Sequence, residues 1–162
     1  MIPLRVKDAV RVHNKELTEK YPFLIPRHLW TDKVFDDYDY EYTVLDEMPT
    51  GWRDAFGEEM VEELYQILSK VDGAVEAYRI YQIKEKFGFL HWYDNGVPKE
   101  VEREYWDWQR KWEDVSEKTC LICGKPGKMC NMSWVMPLCR ECYETKVRRN
   151  PNVSYEAVTE RN

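Results

Sequence analysis

The chain has 162 residues, enough for one domain with a buried core, or for such a domain carrying a small appendage. Its 43% hydrophobic and 14% aromatic content excludes a disordered chain, although 33% of residues are charged. The net charge of −6 is unevenly placed: residues 1–115 hold 16 Lys/Arg against 25 Asp/Glu, and residues 116–150 hold 7 against 3, so an acidic body precedes a basic segment.

Residues 5–19 read as a helix, because Val6, Ala9, Val10, His13 and Leu17 fall at the three- and four-residue spacing of one apolar face. His13 is expected as a packed or hydrogen-bonded histidine rather than a ligand. No apolar stretch of signal-peptide type opens the chain and no run of 18 apolar residues follows, so neither a secretory leader nor a membrane contact is expected. Pro22 and Pro26 then predict an extended segment, Tyr21 to Pro26, wrapping the body. Residues 31–50 are turn-rich and acidic, with Phe35, Tyr38, Tyr40 and Tyr42 interleaved and a short strand expected over Glu41–Leu45.

The clearest helix spans 52–71, with Met60, Leu64, Ile67 or Leu68, and Val71 as its buried stripe. Glu58, Glu59, Glu62 and Glu63 are placed in its first half, where the helix dipole favours anions. Residues 78–84 and 88–93 predict two strands joined by a short turn, with Asp94-Asn95-Gly96 as the closing turn. Pro98 opens a second helix to about 114, whose Val101, Tyr105, Trp108 and Trp112 recur on one face while Trp106 lies off it. That aromatic face is expected to be core or a cover for the hairpin, rather than a base-stacking surface. The fold class expected is α+β: helices packed on a small antiparallel hairpin or sheet.

Cys120, Cys123, Cys139 and Cys142 form C-x2-C, fifteen residues, C-x2-C, the spacing of a tetrathiolate structural zinc (Zn²⁺) site. A knuckle ending at Gly124, a strand at Ser133–Met136 and a short helix after Cys142 predict a treble-clef-like module, with a zinc ribbon as the alternative. Three parts follow: an acidic, aromatic-rich body (1–115), the zinc module (116–150) and a tail (151–162). Cys130 is left as a spare thiol. Five cysteines argue against a disulfide framework, and thiolates imply a reducing compartment, most simply the cytoplasm.

Three functions are weighed. A non-enzymatic binding protein would use the acidic, aromatic surface of Asp36, Asp37, Asp39, Glu41, Glu58, Glu59 and Glu62, where aromatics anchor and charge steers; such a surface can also imitate nucleic acid. A nucleic-acid-binding regulator would use Lys146, Arg148 and Arg149 on the basic module. A metal-dependent nuclease is the least favoured: Glu85-Lys86 echoes an E-x-K motif without its upstream Asp, and His13, His28 and His91 are scattered along the chain.

Four segments together carry a resemblance: Tyr21 to Arg27 (YPFLIPR), Met48 to Arg53 (MPTGWR), Gln82 to Gly96 (QIKEKFGFLHWYDNG) and Thr119 to Pro126 (TCLICGKP). The chain is similar over most of its length to a family of small phage and prophage proteins. The resemblance implies a setting, a phage accessory protein in the host cytoplasm, and in that setting the binding protein would hold, and could inhibit, a host protein. It brings no catalytic residues.

Overall fold

A computed structural model describes residues 4–159, with the side chains described from residue 6. Residues 1–3 and 160–162, the two ends of the expected N-terminal stretch and tail, lie outside the described residues. The architecture is mixed helix and small antiparallel sheets: α1 (Leu4–Lys20), α2 (Thr50–Trp52), α3 (Glu58–Leu68), α4 (Ala74–Ala77), the hairpin β1 (Arg79–Lys86) and β2 (Phe89–Asn95), α5 (Glu102–Glu117), a second hairpin β3 (Lys128–Asn131) and β4 (Val135–Leu138), α6 (Arg140–Cys142) and α7 (Tyr155–Thr159).

The body is built on α3 and α5. Met60, Val61, Leu64 and Leu68 of α3 are buried, as are Tyr105, Trp108 and Trp112 of α5. Both stripes follow the expected helical spacing, except that Val71 lies beyond the end of α3 and is half-buried, and Val101 just ahead of α5 joins them. Each buried tryptophan of this core also finds an acceptor for its indole N–H, as burial requires. Trp108 donates to the Met60 carbonyl at 2.9 Å, Trp112 to Glu63 at 2.9 Å and Trp92 to the Tyr78 hydroxyl at 2.8 Å. Trp106 is exposed, as its position off the stripe implies.

The first hairpin lies over α5 with Ile83 paired to Trp92 and Glu85 to Leu90, which turns Ile83, Leu90 and Trp92 inward. The register shifts between Ile80 and Gln82, so Tyr81 is bulged. Phe87 and Gly88 both have positive φ, 55° and 85°, the backbone a two-residue hairpin turn needs to match strand twist. The Leu90 amide donates to the Ser116 hydroxyl at 3.1 Å, tying β2 to the end of α5.

Four expectations are corrected. In α1 the buried face is Asn14, Leu17 and Thr18; Val6, Ala9, Val10 and His13 are exposed, because the first turns of the helix run past the body and meet no core there. Tyr21–Pro26 is not fully extended: Pro22–Leu24 makes a 3-10 turn that Pro22 can start, and it buries Phe23 and Leu24. Glu41–Leu45 is not a strand; Val44–Glu47 is a 3-10 turn with Thr43 before it, whose amide donates to the Asp46 carboxylate at 2.8 Å. The helix ending at Leu68 starts earlier than expected. It runs from Thr50 through α2 and a π-helical turn, Arg53–Gly57, into α3, so Glu58, Glu59, Glu62 and Glu63 lie beyond the first turn and gain nothing from its dipole.

Candidate metal centre

The sulfur cluster is assembled from a turn, a strand end and a helix start. Cys120 and Cys123 sit in the knuckle, where the Gly124 amide donates back to the Cys120 carbonyl at 2.9 Å and the Cys120 amide to the Lys125 carbonyl at 2.8 Å. Gly124 has φ 80°, left-handed backbone that glycine adopts without penalty. The β3–β4 hairpin then returns the chain, and Cys139 follows β4 as the residue that caps α6. Its sulfur accepts the Cys142 amide at 3.3 Å, so the last two ligands share the first turn of a helix. A π-helical turn, Tyr143–Val147, continues it.

The four Sγ atoms all lie within 4.8 Å of one another, with Cys123 and Cys139 at 3.5 Å. A tetrahedral ion with metal–sulfur bonds of about 2.3 Å has sulfur–sulfur edges of about 3.8 Å, so the donor set fits. Cys120, Cys139 and Cys142 are buried and Cys123 is exposed. Burial works to raise the Cys120 thiol, but the amides of Cys123, Cys139 and Ile122 outweigh it and bring it down to about 7. Burial pushes Cys142 and Cys139 up, and the sulfurs of Cys120 and Cys123 beside them add to the rise. A bound cation reverses that rise and holds all four as thiolates. Cys130 stays outside the cluster: it is buried on β3, its thiol donates to the Lys128 carbonyl at 3.4 Å, and burial pushes its pKa up to about 11.

Two features of the site were not expected from sequence. The knuckle docks on the N-terminus of α2: the Gly51 amide donates to the Leu121 carbonyl at 2.9 Å and the Trp52 indole to the Thr119 carbonyl at 2.8 Å. A Cβ on Gly51 would lie 2.3 Å from the Cys120 carbonyl oxygen and 2.7 Å from the Gly124 nitrogen. The segment expected as a tail also packs on the module in its described part. Tyr155 and Val158 of α7 are buried with Leu138 and Tyr143, and the Tyr155 hydroxyl donates to the Leu138 carbonyl at 2.7 Å.

The other candidate residues fall in several places. Among the described residues the four cysteines form the one group of three or more His, Cys, Asp or Glu side chains placed to share an ion. His13 bonds Glu58 at 3.1 Å, His28 packs on Phe35 and His91 lies beside Tyr93, so the histidines do not converge. Glu85 accepts the Gly88 amide at 2.6 Å and so braces the hairpin turn.

The acidic surface is partly neutralised from within. Arg11 binds Glu41 at 2.6 Å and Asp39 at 3.4 Å, Arg53 binds Glu58 at 3.1 Å, and Lys20 binds Glu62 at 3.0 Å. Asp36, Asp37 and Glu59 make no ion pair among the described residues. On the module, Lys125 pairs with Glu141 at 3.0 Å and Arg140 with Glu144 and Glu156. Arg148 folds back onto the carbonyls of Asn150 and Pro151. Lys146 and Arg149 are exposed without an ion pair among the described residues.

Comparison of the chain with protein-family models, with curated proteins and with solved structures finds no match in any of the three. No described helix is long and apolar enough to cross a membrane.

Proposed function

We propose that this chain is a non-catalytic binding protein whose C-terminal module is clamped by a structural zinc ion. The closed donor set carries the reading. Four clustered sulfurs fill a tetrahedral sphere and leave no position for substrate or an activated water. Zinc is the ion such an all-sulfur tetrahedral set most commonly holds in a structural role. Knuckle, hairpin and a helix whose first turn carries the last two ligands support a treble-clef-like module.

The partner-binding surface is the acidic, aromatic one of the body. Asp36, Asp37 and Glu59 supply its uncompensated charge, since Asp39, Glu41, Glu58 and Glu62 are tied to neighbouring cations. The resemblance to small phage and prophage proteins supports a host protein as the partner and the host cytoplasm as the setting.

Two measurements test this. Metal analysis should return one zinc per chain, and Cys139→Ala should abolish it; a Cys139→Ala chain still holding one zinc would show that the site is misassigned. Affinity capture from host lysate, with and without nuclease, should retain a protein partner after nuclease treatment. Reversing Asp36, Asp37 and Glu59 to lysine should lose that partner, and undiminished capture would remove the acidic surface from the reading.

A further inference from the structure

We propose that the metal clamp is a peroxide-sensitive switch, in which Cys123 is the sulfur that meets the oxidant and Cys139 the sulfur that closes a disulfide on it. The inference rests on the structural-zinc reading above and adds a chemical means of opening the site.

The four sulfurs of the cluster are not equivalent. Cys120, Cys139 and Cys142 are 0%, 6% and 3% exposed, whereas Cys123 is open to solvent. Lys125 and Pro126, which follow it in the knuckle, are exposed as well, so this turn lies at the surface of the module. A cysteine reacts with a soluble oxidant according to its thiolate character and its exposure. Metal binding supplies the first to all four sulfurs, and the fold supplies the second to Cys123.

The second sulfur is already in place. Cys123 Sγ and Cys139 Sγ are 3.5 Å apart, and an approach of about 1.5 Å closes that gap to the length of a disulfide bond. Cys139 caps α6, so the new bond would join the knuckle to the chain that returns from β4. Cys130 is not in reach of the exposed turn in the same way. It is buried on β3 with its thiol on the Lys128 carbonyl at 3.4 Å, outside the set of sulfurs that lie within 4.8 Å of one another.

The co-reactant is hydrogen peroxide. The Cys123 thiolate attacks one peroxide oxygen, the O–O bond breaks, and the departing hydroxide takes a solvent proton to become water. Cys123 is then a sulfenic acid. The Cys139 thiolate attacks that sulfur, the S–S bond forms, the S–O bond breaks, and a second hydroxide leaves as water with a second solvent proton. Two thiolates have given up two electrons, and one peroxide has been reduced to two waters. Cys120 and Cys142 are left as half of a tetrahedral donor set, which no longer retains the ion. A dithiol reductant, itself oxidised to its disulfide, returns both thiols and lets the site reload.

The experiment uses the full, zinc-loaded chain. Hydrogen peroxide is added in excess, zinc release is followed with a chromophoric chelator too weak to strip the untreated protein, and disulfides are mapped by peptide mass spectrometry. Zinc release is expected, with Cys123–Cys139 as the mapped pair and zinc binding regained after a dithiol reductant. Cys123→His keeps four donors, because a set of three sulfurs and one nitrogen also holds zinc, and should release the ion at least about tenfold more slowly. Cys130→Ser should release it at the parent's rate. A zinc-loaded chain that keeps its ion under peroxide would overturn the proposal. So would a first disulfide formed by any other pair, or equal release rates for the parent and Cys123→His. If Cys123→His does not load with zinc, the pair mapped in the parent decides alone. A parent chain that cannot be loaded with zinc at all would remove the metal reading, and the proposal with it.

Discussion

Asp94 shows how much one side chain can organise. Its Oδ2 accepts hydroxyl donors from Tyr78, the residue leading into β1, and from Tyr105 of α5, and so joins hairpin to helix. Trp92 and Gln109 in turn donate to the same two tyrosine oxygens, at 2.8 and 2.7 Å. Burial raises the Asp94 carboxyl above its ordinary value, with the tyrosine hydroxyls pulling it back. Burial also pushes both tyrosines up, so they remain donors throughout the working pH range. A carboxyl raised by folding holds its proton more tightly in the native state. Its contribution is full below the unfolded value and is lost as pH climbs through the folded one. Asp94→Asn keeps an acceptor without the charge, so its stability should vary less than the parent's as pH rises from about 4, the ordinary Asp value. Asp94→Ala should cost about 1–3 kcal/mol, since the Tyr78 hydroxyl is left buried without its acceptor. Urea unfolding at a series of pH values measures both. Equal pH profiles for the parent and Asp94→Asn would remove the carboxyl from the argument.

At the scale of elements, the start of α2 decides how the metal module is seated. The atoms nearest a Cβ on Gly51 are all backbone, from Cys120, Leu121 and Gly124, and backbone cannot swing aside as a side chain can. Gly51→Ala should therefore displace the knuckle, lower stability by about 1–3 kcal/mol and weaken metal retention in competition with a chromophoric chelator. Gly57→Ala, whose new methyl meets side-chain atoms of Arg53 and Leu45 at 3.3 Å and beyond, is the control and should change metal retention little. This contact was not legible in sequence, because its two halves lie far apart along the chain and nothing local to either names the other. The ligand spacing was legible, because two C-x2-C pairs state their chemistry locally. So were the stripes of α3 and α5, where a long run of periodic burial outweighs local propensity. The stripe of α1 misled for the opposite reason. Period reports which residues share a face, and only the neighbouring elements decide whether that face is covered; in α1 the valines are left outside and Asn14, with its amide on the Tyr40 carbonyl at 2.8 Å, is within.

At the scale of the whole molecule, the described residues form two apolar clusters of unequal size. The larger runs from Leu17 to Trp112 and is rich in Leu, Trp and Tyr. The smaller holds Leu138, Tyr143, Tyr155, Val158 and the buried cysteines. So few apolar side chains cannot offset the entropy of ordering the segment, and an ion contributing on the order of 10 kcal/mol can. Removing the metal with a strong chelator should therefore release amide protection across residues 119–159 while the body core, 17–117, keeps it. The same loss should follow acidification, because each sulfur must give up a proton to bind the ion and protonation competes with it. Hydrogen exchange read by mass spectrometry, before and after chelation, resolves the two regions. Retained protection in the module would mean that α7 and the α2 contact suffice to hold it. Loss across the whole chain would mean that Trp52, fully buried and bonded to the Thr119 carbonyl, transmits unfolding of the knuckle into the body and makes the two clusters one cooperative unit.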